Sequence, residues 1–304
     1  MKIAILSNGP GNYSTKRLKA VAEARGHEVD VIKYKECFAT IEKSNPQITY
    51  RGEILKDYDA VIPRIASYMT RYGTAIVRQF EMQGVFTTAS SIAIVRSRDK
   101  LRSMQLLARA GVGIPKTVFS RGLNTDVGNL IDQIGGTPII IKLASGTHGN
   151  GVVLAETKKA AKSVLQAFYL MDDDGTNIML QEYVEESAGE DIRAIVVGGK
   201  VVANMKRQSL DDDFRSNLHQ GGEGRAVKLT DEERKTAQKA AKAMGLPICG
   251  VDMMRSSRGP LVLEVNSSPG FGIENVTSRD IASKFIEYIE QNAKKNRRRD
   301  RVGA

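Results

Sequence analysis

The sequence predicts an α/β chain in which a lobe built on a doubly wound parallel sheet precedes two α+β lobes. Three observations predict it. Strand and helix patterns alternate with short turns over residues 1–95, as parallel strands joined by helical crossovers do. Two hairpin patterns fall in the last third, around Gly198-Gly199 and around Arg258. The length of 304 residues, at about 150 per domain, suits about two domains or one core divided into lobes.

The first lobe is placed at 1–95. Its opening, Lys2 to Leu6, reads as a buried strand, followed by the loop Asn8-Gly-Pro-Gly-Asn-Tyr13 and a helix from Lys16 to Arg25 that stops at Gly26. His27 to Tyr34 alternates apolar and polar residues as a strand does, and Ala60-Val61-Ile62 forms another that ends at Pro63. A second lobe spans 96–177. Ser97 to Lys100 caps a helix whose apolar positions Leu101, Met104, Leu107 and Ala108 recur at helical spacing until Gly111. Pro115 opens a strand. Pro138 to Lys142 is the next, followed by the glycine-rich loop Ser145 to Gly151, the strand Val152 to Leu154, a helix over 158–168 and the loop Asp172 to Gly175.

The third lobe spans 178–293. It begins with the apolar strand Ile178 to Val184 and continues with the hairpin Arg193–Val197 and Val201–Met205. A helix from Thr230 to Met244 carries Glu233 three residues after Thr230, a capping box. The hairpin Gly250 to Asn266 and a helix over 278–292 complete it. Residues 294–304 read as a solvated, disordered end.

Composition narrows the function. Apolar residues make up 41% and charged residues 26%, which excludes wholesale disorder. The 45 Lys and Arg against 35 Asp and Glu leave +10, but six basic residues beside Asp300 carry half of that in the tail. The remaining +5 suits anionic ligands. Cys37 and Cys249 stand far apart, which excludes a disulfide framework or a zinc site of the usual spacing. No apolar run approaches the ~20 residues of a membrane span. A cytoplasmic location is expected.

The last hairpin concentrates the chemistry. Alternation puts Glu264 and Asn266 on one face of their strand, and a turn about Arg258 sets Asp252 opposite Glu264. Two carboxylates and an amide are hard oxygen donors that suit Mg²⁺, although a solvated edge hairpin would carry the same residues. Lys142 ends an Ile-Ile-Ile strand, where a buried cation is costly without an anion beside it. Gly146, Gly149 and Gly151 after it let backbone N–H groups approach phosphate oxygens, as would a plain hairpin turn. Glu182 and Tyr183 close an apolar strand at a lobe junction, where backbone groups can meet a base, and a following carboxylate can bind ribose hydroxyls. Arg193 and Arg207, on two strands of one hairpin, can share a face and clamp a charged oxygen. Arg215, Ser216 and Asn217 lie in a donor-rich loop that reads equally as a phosphate clasp or as a spacer. No Walker loop or kinase motif is present.

Taken in order, these pieces resemble the ATP-grasp superfamily, and within it the RimK-type ligases that add glutamate to the C-terminus of ribosomal small-subunit protein S-six. The resemblance rests on Ile62-Pro-Arg-Ile65, Tyr72-Gly-Thr74, Arg78 to Met82, Arg98-Asp-Lys-Leu-Arg-Ser-Met-Gln-Leu-Leu-Ala108, Gly151 to Thr157, Asp213-Phe-Arg-Ser-Asn-Leu-His219, Arg258-Gly-Pro-Leu-Val262 and Glu264-Val-Asn266. It runs from residue 1 to about 290. It implies an ATP-grasp fold, with ATP enclosed between the second and third lobes. It also implies that Lys142 and Lys100 reach the phosphates, that Glu182 and Tyr183 lie at the adenine, and that Asp191 meets the ribose. Arg215, Ser216 and Asn217 are then nucleotide contacts. Asp252, Glu264 and Asn266 hold two Mg²⁺ ions, which Mn²⁺ can replace, with Glu264 shared. Arg193 and Arg207 are the expected transition-state stabilisers, and Arg64 the holder of an incoming carboxylate.

The implied partners are L-glutamate, the C-terminus of a ribosomal small-subunit protein, and further copies of the chain. The first loop and Asp211-Asp-Asp213 depart from the best-known pattern where an acceptor would touch. Ligation onto a small-molecule acid or into free poly-α-glutamate therefore stays open as a sister reading. A basic ribosome- or nucleic-acid-binding module is the reading from another class. Aromatics are only 6% and are not interleaved with basic runs, which argues against a stacking platform and leaves the tail as the one stretch for such contact.

Overall fold

The computed structural model describes residues 1–121, 126–143, 151–170, 177–209 and 223–293. The N-terminal part contains β1 (Lys2–Leu6), α1 (Tyr13–Ala24), β2 (Glu28–Ile32), β3 (Cys37–Thr40), β4 (Gln47–Tyr50), β5 (Glu53–Ile54), β6 (Ala60–Pro63), α2 (Thr70–Met82), β7 (Phe86–Thr87) and α3 (Ser91–Arg98). Its main sheet has the order β2-β1-β6-β7 with every pairing parallel. Such a sheet is covered on both faces, which explains the unbroken apolar run of β1. Ile3 and Ile5 face α1, while Ala4 and Leu6 face α2 and α3. Pro63 is the last residue of β6 rather than its stop. The small antiparallel sheet β3-β4-β5 was not anticipated; its strands are two to four residues long, too short for alternation to register.

After α4 (Lys100–Arg109) comes a compact unit of β8 (Thr117–Arg121), α5 (Val127–Ile134), β9 (Ile139–Leu143), β10 (Val152–Ala155), α6 (Lys158–Leu170) and β11 (Asn177–Glu182). Its antiparallel sheet runs β10-β9-β11-β8. The strand expected to open the third lobe is therefore β11, lodged in the middle of this second sheet. Its apolar residues Ile178 and Leu180 pack with Ile139, Ile141 and the two helices. Conversely, α4 leaves this unit and packs on α7 (Asp231–Met244). Both exchanges follow from tertiary packing that local pattern cannot register.

The remainder contains β12 (Glu190–Val197), β13 (Lys200–Gln208), β14 (Glu223–Ala226), α7, β15 (Ile248–Met254), β16 (Leu261–Asn266), α8 (Ile273–Thr277) and α9 (Ile281–Asn292). The sheet order is β14-β13-β12-β15-β16. Thr230 caps α7 with the full capping box, and Gly245 ends it at φ 72°. One face of the sheet, with Ile192, Ala194, Val251 and Met253, packs on α7. The other, with Ile195, Val197 and Met205, shares a core with Ile3, Ile5, Leu18 and the α9 residues Phe285 and Ile289. The first and last lobes therefore form one continuous body. Their seam is fastened by Arg25, whose Nε and Nη2 donate to Glu290 at 2.9 and 2.6 Å, and by Arg17 to Glu274 at 3.2 Å. Among the described residues no helix is long and apolar enough to cross a membrane.

Candidate active site

Two sheet faces supply the chemistry. On the β9–β11 sheet, residues that are direct partners share a face. Lys142 pairs with Val152 and Met179, and Met179 with Phe119; Ile140 pairs with Leu154 and Gln181, and Gln181 with Thr117. This face, opposite the one covered by α5 and α6, is apolar around a single lysine. Lys142 Nζ donates to Gln181 Oε1 at 2.6 Å, and Gln181 Nε2 donates to Thr117 Oγ1 at 3.0 Å. Burial, with the charge of Lys100, lowers Lys142 to about 8, while Glu264 offsets part of that shift. The cation that the sequence placed at the end of an apolar strand thus has a neutral partner and only a distant carboxylate.

On the β12–β16 sheet the polar face is a lattice of charges. Arg193 is paired with Asp252, Asp252 with Glu264, and Asp191 with Arg207, so Asp252 does face Glu264 as the turn about Arg258 implied. Arg193 Nε and Nη2 donate to the two Asp252 oxygens at 2.7 and 2.5 Å. Arg207 Nη2 adds a bond to Asp252 Oδ2 at 2.9 Å. Burial alone would raise Asp252, but the two guanidiniums outweigh it and hold its carboxyl well below the usual carboxylate range. More than half of the Glu264 side chain (56%) meets solvent. Protein encloses it on its other sides, and that partial loss of water, together with the Asp252 charge, raises its pKa. Asn266 Nδ2 donates to Glu264 Oε1 at 2.8 Å.

Arg193, Arg207 and Asp191 are ion-paired within the sheet. Arg193 and Arg207 do share a face, but the charged oxygen they clamp is that of Asp252. Arg207, only 2% exposed, donates to Asp191 through Nε at 2.6 Å and also through Nη2. It lies beneath Asp252 and fixes it. Asp191, for its part, gives both oxygens to Arg207 inside the sheet. Arg193, with 16% of its side chain exposed, remains at the cleft surface.

Other assignments fall at the junction of the two sheets. Glu182 Oε1 accepts from Lys116 N at 2.7 Å and from Arg258 Nη2 at 2.6 Å, so the β15–β16 turn grips the end of β11. Ser257 Oγ to Glu186 Oε1 at 2.8 Å and Val262 N to Gly113 O at 2.7 Å extend this clasp. A Cβ on Gly113 would lie 2.6 Å from the Pro260 carbonyl oxygen, which explains the glycine. Tyr183 is half-buried beside Glu182. Lys100 lies at the start of α4, its pKa lowered by burial and partly restored by Glu264. Arg64 lies on the body, with Nη1 donating to Pro269 O at 2.7 Å and Nη2 to Ser14 Oγ at 3.0 Å. Arg215, Ser216 and Asn217, the Asp211–Asp213 run, the glycine-rich loop up to Asn150, the 172–175 loop and the tail lie outside the described residues. Gln181 and Arg258 were missed as site residues. Gln181 reaches Lys142 only through the pairing of β11 with β9, which the sequence does not show, and Arg258 was legible only as the tip of a turn.

The donor set fits a hard divalent cation. Asp252 and Glu264 are in register and Asn266 Nδ2 lies 2.8 Å from Glu264 Oε1, so two carboxylates and an amide, all carrying hard oxygen donors, adjoin on one face.

Comparison with known proteins identifies the family. A RimK-like ATP-grasp domain model matches residues 97–289, and a RimK pre-ATP-grasp domain model matches residues 1–94. The chain is 55% identical over 302 residues, 99% of both chains, to a protein of Pseudoalteromonas atlantica named probable alpha-L-glutamate ligase 2. It is 56% identical over 295 residues, 97% of each chain, to the probable alpha-L-glutamate ligase of Hydrogenovibrio crunogenus. Among solved structures, the ATP-grasp ligase PsnB with its minimal precursor superposes with a TM-score of 0.71 at 20% identity, covering 95% of this chain and 98% of that one. The D-alanine–D-alanine ligase of Bacillus anthracis with ATP gives 0.71 at 19%, covering 98% of each. The PsnB fold has also been solved with Mg and ADP, and ATP with Mg²⁺ is the cosubstrate pair of ATP-grasp ligases. With both family models matched end to end and the relatives alike along nearly the whole length, the chain belongs to the RimK-like ATP-grasp family and is an ATP-dependent ligase.

Proposed function

We propose that the protein is an α-L-glutamate ligase that joins the amine of glutamate to the C-terminal carboxylate of a protein acceptor, the C-terminus of a ribosomal small-subunit protein. One observation carries the reading: Lys142 on one sheet lies within electrostatic reach of Glu264 on the other, which sets a phosphate ligand opposite a cation ligand. The names of the relatives support glutamate as the amino acid.

A carboxylate is a poor electrophile because oxide is a poor leaving group. Transfer of the γ-phosphoryl group of ATP to the acceptor carboxylate gives an acyl phosphate, and attack by the glutamate amine then yields the amide, ADP and phosphate. In this scheme Lys142 and Lys100 hold phosphate oxygens, and the apolar face of Met179, Ile140 and Phe119 receives the base beside Glu182 and Tyr183. Arg215, Ser216 and Asn217 close on the nucleotide. Asp252, Glu264 and Asn266 would hold two Mg²⁺ ions, replaceable by Mn²⁺, which when bound neutralise the triphosphate. Arg193 faces the transferring phosphoryl. Arg207 and Asp191 keep Asp252 and Arg193 in place, and Arg64 holds a substrate carboxylate.

Mass spectrometry of small-subunit ribosomal proteins after incubation with enzyme, ATP and glutamate tests the proposal. Added glutamyl units at a C-terminus are expected. No mass gain on any of them would reject this acceptor, and glutamate chains formed without added protein would assign the free polymer instead.

A further inference from the structure

Only two buried side-chain polar atoms lack a hydrogen-bond partner among the described residues: Arg98 Nε and Ser267 Oγ. An unpaired buried donor is rare because it forfeits its hydration, so each such atom calls for a ligand or a function. These two flank one seam. Arg98 ends α3, and its Nη2 donates to the carbonyl of Ile65 at 2.9 Å. The neighbouring Arg64 donates to Pro269 O, and Ser268 Oγ donates to Pro63 O at 3.2 Å. Segment 63–65 is thereby stitched to segment 267–269, which follows directly on Asn266.

The charges at this seam are unbalanced. Arg64 and Arg98 are close enough to repel, yet neither has a carboxylate within salt-bridge distance among the described residues; the ring of Phe271, 5.6 Å away, stacks on Arg64. Burial and the charge of Arg98 lower Arg64 to about 10, so it remains a cation at neutral pH. Burial lowers Arg98 too, with Glu264 near enough to offset part of this. The seam belongs to the body, and its hydrogen bonds join 63–65 and Arg98 to each other and to 267–269 without involving Lys142. With Lys142 and Lys100 given to the phosphates under the proposed function, the anion left for the seam is a second one presented to the same cleft.

We infer that Arg98 and Ser267 complete, with Arg64, a binding site for a substrate carboxylate at the seam beside Asn266. The inference rests on the ligase reading above, in which both the incoming amino acid and the acceptor carry carboxylates. A guanidinium edge pairs with a carboxylate through two parallel N–H···O bonds, and Arg98 has its Nε uncommitted for one of them. The Ser267 hydroxyl supplies a further donor.

Steady-state Michaelis constants for ATP, glutamate and the acceptor, in wild type, Arg98→Met, Arg98→Lys and Ser267→Ala, test this. Arg98→Met should raise KM for one carboxylate substrate by at least about tenfold, leaving KM for ATP within about twofold. Arg98→Lys should recover part of the loss, since it restores charge without the fork. A rise for glutamate assigns the site to the amino acid, and a rise for the acceptor assigns it to the chain terminus. Unchanged constants for both, or a loss confined to ATP, would overturn the inference. A calorimetric titration of glutamate and of an acceptor peptide into wild type and Arg98→Lys reads the site without turnover: weaker binding of either in the variant supports it, and equal affinities for both overturn it. Wild-type enzyme that releases no ADP with glutamate and any acceptor would reject the glutamate reading itself, a failure distinct from that of the seam.

Discussion

The small β8–β11 unit and the body formed by the first and last lobes solve the same packing problem differently. The small unit closes a core of its own, with Ile139, Ile141, Ile178 and Leu180 beneath α5 and α6. The body interleaves residues from both ends of the chain, so that Ile5 and Phe285 lie in one cluster. The small unit contributes an apolar face with one lysine, and the body contributes the carboxylates and arginines. A ligand that needs both must hold the two parts in register, and they are joined by the clasp of Arg258 on Glu182 and by Met179, whose side chain packs into the body's core.

The largest effect expected from breaking this arrangement is on the body side. Glu264→Gln should lower kcat by at least about a hundredfold in an ADP-release assay, with the thermal transition of the apo protein nearly unchanged, because Glu264 faces solvent and holds no core contact. Arg207→Met comes next. It strands Asp191 and Asp252 as buried carboxylates without their shared cation and should destabilise the body by about 3–5 kcal/mol in urea titration. A drop below about 1 kcal/mol would mean that the charge lattice is not the rigid support described above.

Core substitutions sharpen the same contrast. Ile141→Ala should cost about 2–5 kcal/mol but produce an early transition confined to the small unit, whereas Ile5→Ala should lower the transition of the body. A single shared transition in both variants would deny the small unit its separate core.

The pH dependence of nucleotide affinity follows from Lys142. Its pKa is depressed to about 8, so it is charged below that value and loses its proton as pH rises through it. Because ADP favours the charged form, affinity should be flat below about pH 7 and fall between about pH 7.5 and 9.5, with proton uptake on binding in that range. Lys142→Met should bind more weakly and lose this pH profile. The smallest effect belongs to Arg258→Ala. Its exposed pair with Glu182 contributes about 0–1 kcal/mol to stability, so the variant should retain its melting temperature yet show faster hydrogen exchange in β11.

Legibility in the sequence followed the same division. The hairpin that pairs Asp252 with Glu264 was readable because one turn and a period of two fix the register. Lys142 was readable because a cation at the end of three isoleucines is costly. The partnership of Arg207 with Asp191 and Asp252 was not, since sharing a face says nothing about which oxygen a guanidinium meets. The sheet to which Ile178–Glu182 belongs was equally hidden: its strand neighbours, residues 117–121 and 139–143, lie far back along the chain. Arg98 looked like part of a helix-start string, and only three-dimensional packing leaves its Nε without a partner.

Hydrogen exchange of the full-length protein with and without a non-hydrolysable ATP analogue tests the central claim most directly. With Mg²⁺ present, protection is expected to rise together in Ile139–Leu143, in Asn177–Glu182 and in the strands carrying Asp252 and Glu264, and to fall away at the last two when Mg²⁺ is withheld. Protection confined to one of the two sheets, or identical with and without the cation, would contradict a nucleotide held between them.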